Sequence, residues 1–98
     1  MPDQLVEQAV AARATDVHLE PGQDSLRIRL RIDGTLLPLH HLNGEEGRQL
    51  CGRIKVRAGM DIAQRLLPQD GSLHLTVLDQ AWDIRVASQP TILGEKLV

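Results

Sequence analysis

The 98-residue chain is almost without aromatic side chains: it has one tryptophan, no phenylalanine and no tyrosine. Its core must therefore be built from Leu, Ile, Val and Ala. Stacking of bases on aromatic platforms, common in single-strand nucleic-acid binders, has almost nothing to work with. The lone cysteine, Cys51, excludes an internal disulfide and a cysteine-based zinc site and fits a reducing compartment. No apolar run approaches the length of a membrane span. Residues 1–14 lack the basic-then-apolar order of a signal peptide, so a cytoplasmic location is expected. Neither charge is in large excess: the net charge is −2, which removes a bulk attraction to nucleic acid or an acidic membrane. Also missing are a G-x-x-x-x-G-K-[ST] phosphate loop, a strand-linked G-x-G-x-x-G, and any Ser-His-Asp or paired-carboxylate set. The histidines, His18, His40, His41 and His74, show no spacing of a known ligand motif, so no metal is expected.

What is present is ordinary for a globular fold. Apolar residues make up 42%, and the length fits one domain, residues 1–98, with a modest core. Residues 4–13, "QLVEQAVAAR", carry Leu5, Val6, Ala9, Val10 and Ala12 at helical spacing, with Asp3 as the expected cap. Residues 15–20, "TDVHLE", alternate as a strand does and end at Pro21-Gly22. Residues 25–34, "SLRIRLRIDG", form the next strand, and Asp33-Gly34 is a strong hairpin signal. "TLLPL" returns as a short strand in which Pro38 demands an edge or an end. His40-His41 and Asn43-Gly44 read as a loop.

Residues 45–58 read as a helix. Asn43 and Glu46 have capping-box spacing, Glu45 and Glu46 lie at its positive end, and Arg53, Lys55 and Arg57 lie at its negative end. Leu50, Cys51, Ile54 and Ala58 form its apolar stripe, which makes Cys51 an inert core residue. Gly47 and Gly52 weaken the helix and Gly59 can end it. Residues 60–71 read as a loop or short turn. "SLHLTVL" and "AWDIRVAS" pair as a hairpin, "QPTILGEK" reads as a loop, and "KLV" begins a last strand. The sum is an α+β domain with a mostly antiparallel sheet backed by one or two helices, compatible with a PAS-like arrangement.

The arginine run is the unusual feature. Arg27, Arg29 and Arg31 alternate with Leu26, Ile28, Leu30 and Ile32, so the guanidinium groups share one side of a strand at about 6.5–7 Å spacing. Two readings stay open. The arginines pair across strands with Asp16 and Glu20, or they form an anion site, since arginine suits bidentate contact with phosphate. Arg85, on the polar side of its strand two residues after Asp83, reads by spacing as an exposed or Asp-paired arginine.

Four segments in order carry a resemblance: "ATDVHLEP", "LRIRLRIDGTL", "RIKVRAGMDIAQRLLPQDG" and "DIRVASQPTILGEKLV". They resemble the domain that precedes the nucleotide-binding core of type II secretion and type IV pilus-assembly ATPases. The resemblance runs from about residue 15 to the last residue, and it is the register of all four segments that makes it specific. It implies a parent that is a cytoplasmic hexameric ATPase, peripheral to the inner membrane, using ATP and Mg2+ and contacting platform proteins of the secretion or pilus machine. It implies that the RecA-like domain with the phosphate loop lies beyond "GEKLV", where the family continues into another strand and a linker. This chain by itself is then expected to hold no cofactor, to be monomeric or weakly associating, and not to hydrolyse ATP. The domain's implied contribution is arginine aimed at the ATP phosphates. Arg85, in "DIRV", is carried over first and Arg31, in "RIDG", second. Leu66 and Ser72 stand where the family has basic residues, and Arg65, shifted by one, is the third candidate. Arg27 and Arg29 are left as structural or variable members. A PAS-like sensory module for a small ligand or partner protein is the alternative function. A nucleic-acid module using the arginine face is disfavoured by the charge and the missing aromatics.

Overall fold

A computed structural model describes residues 2–62, 67–77, 79–91 and 94–97, with side chains for 4–62, 67–77 and 79–89. Helix α1 (Pro2–Ala11) leads into three strands, β1 (Asp16–Gly22), β2 (Ser25–Ile32) and β3 (Thr35–Asn43). Helix α2 (Gly44–Arg57) follows, then β4 (Gln69–Val77), β5 (Gln80–Thr91) and β6 (Gly94–Leu97). The six strands form one sheet in the order β3-β2-β1-β6-β5-β4, with antiparallel pairing throughout. The α+β class expected from the periodicities is the class observed.

Strand period decides which side chains face the helices. In β2, Leu26, Ile28 and Leu30 are buried to 3%, 2% and 3% exposure. Ile28 and Leu26 join Leu5 of α1, Leu50 and Ile54 of α2, and Leu73, Leu75 and Val77 of β4 in one aliphatic core. Asp33 and Gly34 both have positive φ, 50° and 82°, as a tight two-residue hairpin turn requires. Helix α2 opens with the expected capping box. The Glu46 N–H donates to Asn43 Oδ1 at 2.9 Å, and the Asn43 N–H donates to Glu46 Oε1 at 3.4 Å. It closes at Gly59, whose φ of 75° suits glycine.

Several element boundaries differ from the sequence expectation. Helix α1 begins at Pro2, so Asp3 lies inside it rather than capping it. Strand β3 does not stop at Leu39 but continues through His40, His41 and Asn43. A bulge beside Ile28/Arg29 absorbs the irregularity at Pro38, and β3 is an edge strand, where proline is tolerated. Strand β4 begins at Gln69, inside the expected loop, and β5 runs on through Thr91. Both extensions are tertiary in origin. The Gln69 side chain bonds both backbone groups of Asp61, at 2.9 Å each, and the Gln69 N–H donates to Ser88 Oγ at 3.2 Å. Gly71 lies so close to Ala58 that an added Cβ would collide with the Ala58 carbonyl oxygen. The "PQDG" segment is thereby fastened to the end of α2.

Candidate functional site

The face of the sheet turned away from the helices is built by the same alternation. The β1–β2 register sets Asp16 opposite Arg31, His18 opposite Arg29 and Glu20 opposite Arg27. Arg29 donates twice to Glu20, from Nε to Oε1 at 2.7 Å and from Nη2 to Oε2 at 3.0 Å. This charge-assisted fork holds the Arg29 pKa above its ordinary value, chiefly through the hydrogen bond. Arg27 lies 3.7 Å from the same carboxylate and is more than half exposed. Arg31 takes the other carboxylate, with Nε 3.5 Å from Asp16 Oδ2, and its Nη1 donates to the Gly34 carbonyl at 3.1 Å. Arg27 and Arg29 thus share Glu20, and Asp16 faces Arg31 instead. The expectation that Asp16 serves Arg27 or Arg29 is corrected by the antiparallel register.

His18 is a residue that periodicity did not single out. It is 7% exposed, and neither ring nitrogen has a hydrogen-bond partner among the described residues. Asp16 Oδ2 stands 3.8 Å from its Nε2, an ion-pair distance too long for a hydrogen bond. Nothing in an alternating strand distinguishes a buried histidine on the polar face from an exposed one. Neighbouring strands do that.

Arg85 lies on the polar face of β5, opposite Ser72 of β4. Its neighbour Asp83 pairs with His74 across the hairpin and not with Arg85. Among the described residues no carboxylate forms an ion pair with Arg85, which is exposed. The two registers through β6 relate this arginine to the first hairpin. Leu97 is level with Leu19 of β1 and with Ser88 of β5. Three residues back along each of those strands, Asp16 comes level with Arg85, and Arg31 pairs with Asp16. Arg31, Asp16 and Arg85 therefore occupy one row across the polar face. Arg65 and Leu66 lie outside the described residues. Ser72 is exposed beside Arg85, so the position that is basic in the resembling pattern borders the same row.

The β1–β2 part of this face carries three arginines against two carboxylates, an excess of positive charge. Among the described residues no group of three or more His, Cys, Asp or Glu side chains forms a metal-binding cluster. No described helix is long and apolar enough to cross a membrane. Gln69 and Gly71, conspicuous in the "PQDG" motif, act by fastening β4 to α2, which their sequence spacing does not reveal.

Comparison with known proteins agrees with the arrangement of motifs. A family model described as "Type II/IV secretion system protein" matches residues 1–98. The chain is 42% identical over 93 residues to the Protein transport protein HofB homolog of Escherichia coli (strain K12), covering 95% of this chain and 20% of that protein. It is 38% identical over 94 residues to Type II secretion system protein E of Xanthomonas campestris, covering 96% of this chain and 17% of that one. It is 36% identical over 95 residues to the Type IV pilus assembly ATPase PilB of Thermus thermophilus, covering 97% and 11% respectively. The chain thus spans a fifth or less of the length of these relatives. With all of its residues matched by the family model, the chain belongs to the type II/IV secretion system protein family.

Proposed function

We infer that residues 1–98 are an accessory domain of a secretion or pilus-assembly ATPase, preceding a RecA-like core, and that Arg85 and Arg31 act on the ATP phosphates. The observation that carries this reading is the shared row: two arginines distant in sequence lie level on one polar face, and Arg85 has no carboxylate partner among the described residues. A guanidinium already fixed by a fork, like that of Arg29, cannot turn to phosphate without breaking its pair. An exposed one can. Arg31 is intermediate, held loosely by Asp16 and by the turn carbonyl.

In the parent, ATP and Mg2+ bind the RecA-like core, and arginines of this domain stabilise charge on the transferring phosphoryl group. A homo-hexamer at the cytoplasmic side of the inner membrane, engaging platform proteins, follows from the same reading. In this reading the domain's part in the reaction is arginine, and the nucleophile and metal ligands belong to the core. Arg65 is a further phosphate contact in the assembly.

The test is turnover of the full-length parent. Arg85→Ala is expected to lower kcat by about 10²–10³-fold, the cost of removing one preorganised charge donor. Its melting temperature should stay that of the wild type, since the side chain is exposed. Arg31→Ala is expected to lower kcat less. Unchanged turnover in Arg85→Ala overturns the catalytic role.

A further inference from the structure

Gly52 sits in the middle of α2, where glycine is among the poorest helix formers. Its neighbour Gly47 has a packing reason: an added Cβ there would stand 2.6 Å from Leu26 Cβ. Gly52 has no such reason among the described residues, where an added Cβ meets nothing within 4 Å. Arg48, Gly52 and Val56 follow one another at i, i+4 spacing, so they form one outward ridge with a notch at its centre. Around the notch lies an open surface groove of about 420 Å³, lined also by Arg53, Arg57 and Ile62. Val56 and Ile62 are 60% and 51% exposed, large values for apolar side chains.

The charge of this groove is one-sided. No carboxylate lines it among the described residues, although the whole chain is net negative. The pair of Arg48 with Asp24 is 3.9 Å long and mostly exposed, so it neutralises little. The geometry points to a docking groove for an acidic amphipathic helix of a partner protein. A ridge of that helix enters the notch over Gly52, because missing side-chain bulk lets two helices approach closely. Its apolar stripe covers Val56 and Ile62, and its flanking Asp and Glu side chains meet Arg48 and Arg53. The groove is on the helix side of the sheet, away from the row of Arg31 and Arg85, so this inference stands apart from the nucleotide reading.

The probe is a designed helical peptide with a Leu stripe flanked by Glu, titrated into the 98-residue chain and followed by backbone amide NMR. A counterpart with Lys in place of Glu and vesicles of phosphatidylglycerol are run in parallel. Saturable, salt-sensitive binding of the acidic peptide is expected, with shifts confined to residues 48–62. Gly52→Leu, which fills the notch, and Arg53→Glu are each expected to weaken it at least about tenfold. Gly52→Leu should melt no lower than the wild type, since leucine favours the helix, which separates loss of binding from loss of fold. Absence of binding, equal binding of the two peptides, or equal binding to Gly52→Leu overturns the assignment. So does vesicle binding through the same residues where the acidic peptide fails.

Discussion

The two faces of the sheet are written into alternate residues of the same strand. Along β2, Leu26, Ile28 and Leu30 lie at 3% exposure or less, while Arg27, Arg29 and Arg31 between them meet carboxylates and solvent. The apolar face supplies the burial that holds the fold. On the polar face the exposed Arg27 and Arg31 pairs add little stability, while the half-buried Arg29–Glu20 fork is fixed in place. A one-residue slip of β2 would exchange the two roles entirely. Core and charged surface are therefore separated by strand parity rather than by distance along the chain.

The sharpest way to break this comparison is to treat adjacent residues alike. Ile28→Ala should cost about 2–5 kcal/mol in denaturant unfolding, because the truncated site sits among α1, α2 and β4. Arg27→Ala beside it should change stability by less than about 0.5 kcal/mol. Similar losses in both would mean that the faces do not divide the labour.

The next effect tests the fastening of β4 to α2. In Gly71→Val the Cβ would run into the Ala58 carbonyl oxygen and stand 2.8 Å from Met60 Cγ. A loss of about 1–3 kcal/mol is expected, read from the same unfolding curves. Asn43→Ala removes the cap bond to the Glu46 N–H and should cost about 1 kcal/mol by thermal melting. Gly52→Ala has the opposite sign: it should add about 1 kcal/mol, since alanine favours the helix and no described residue obstructs its methyl. Smallest is the response of the Arg29–Glu20 fork to pH. The folded pKa of Arg29 is raised above its ordinary value, so its contribution is fully present below that ordinary value and is lost only as pH rises through the folded one. A pH titration of stability from 7 to 9 should therefore show no step from Arg29.

Much of this is legible in the amino-acid sequence. The alternation of β2, the Asp33-Gly34 turn and the Asn43/Glu46 capping box rest on contacts between near neighbours, and near neighbours are visible as spacing. The partners of the arginines were not legible. Asp16 and Glu20 both lie on the polar side of β1, and spacing offers either to Arg27 or Arg29. Only the pairing of Asp16 with Arg31 and Glu20 with Arg27 in the ladder decides. The extension of β3 past Pro38 was hidden for a similar reason, because the bulge that permits it belongs to a pair of strands.

The sequence by itself determined the parity of each strand, the turn that joins β2 to β3, the cap that starts α2 and an aliphatic core. These follow from residue type and period, which act within a few positions of the chain. The tertiary structure decided that Glu20 locks Arg29 and leaves Arg31 with Asp16. It also buried His18, with no hydrogen-bond partner among the described residues, and brought Arg31 and Arg85 level on the polar face. The physical reason is that β6 enters the sheet between β1 and β5, so its register aligns two hairpins that share no local contact.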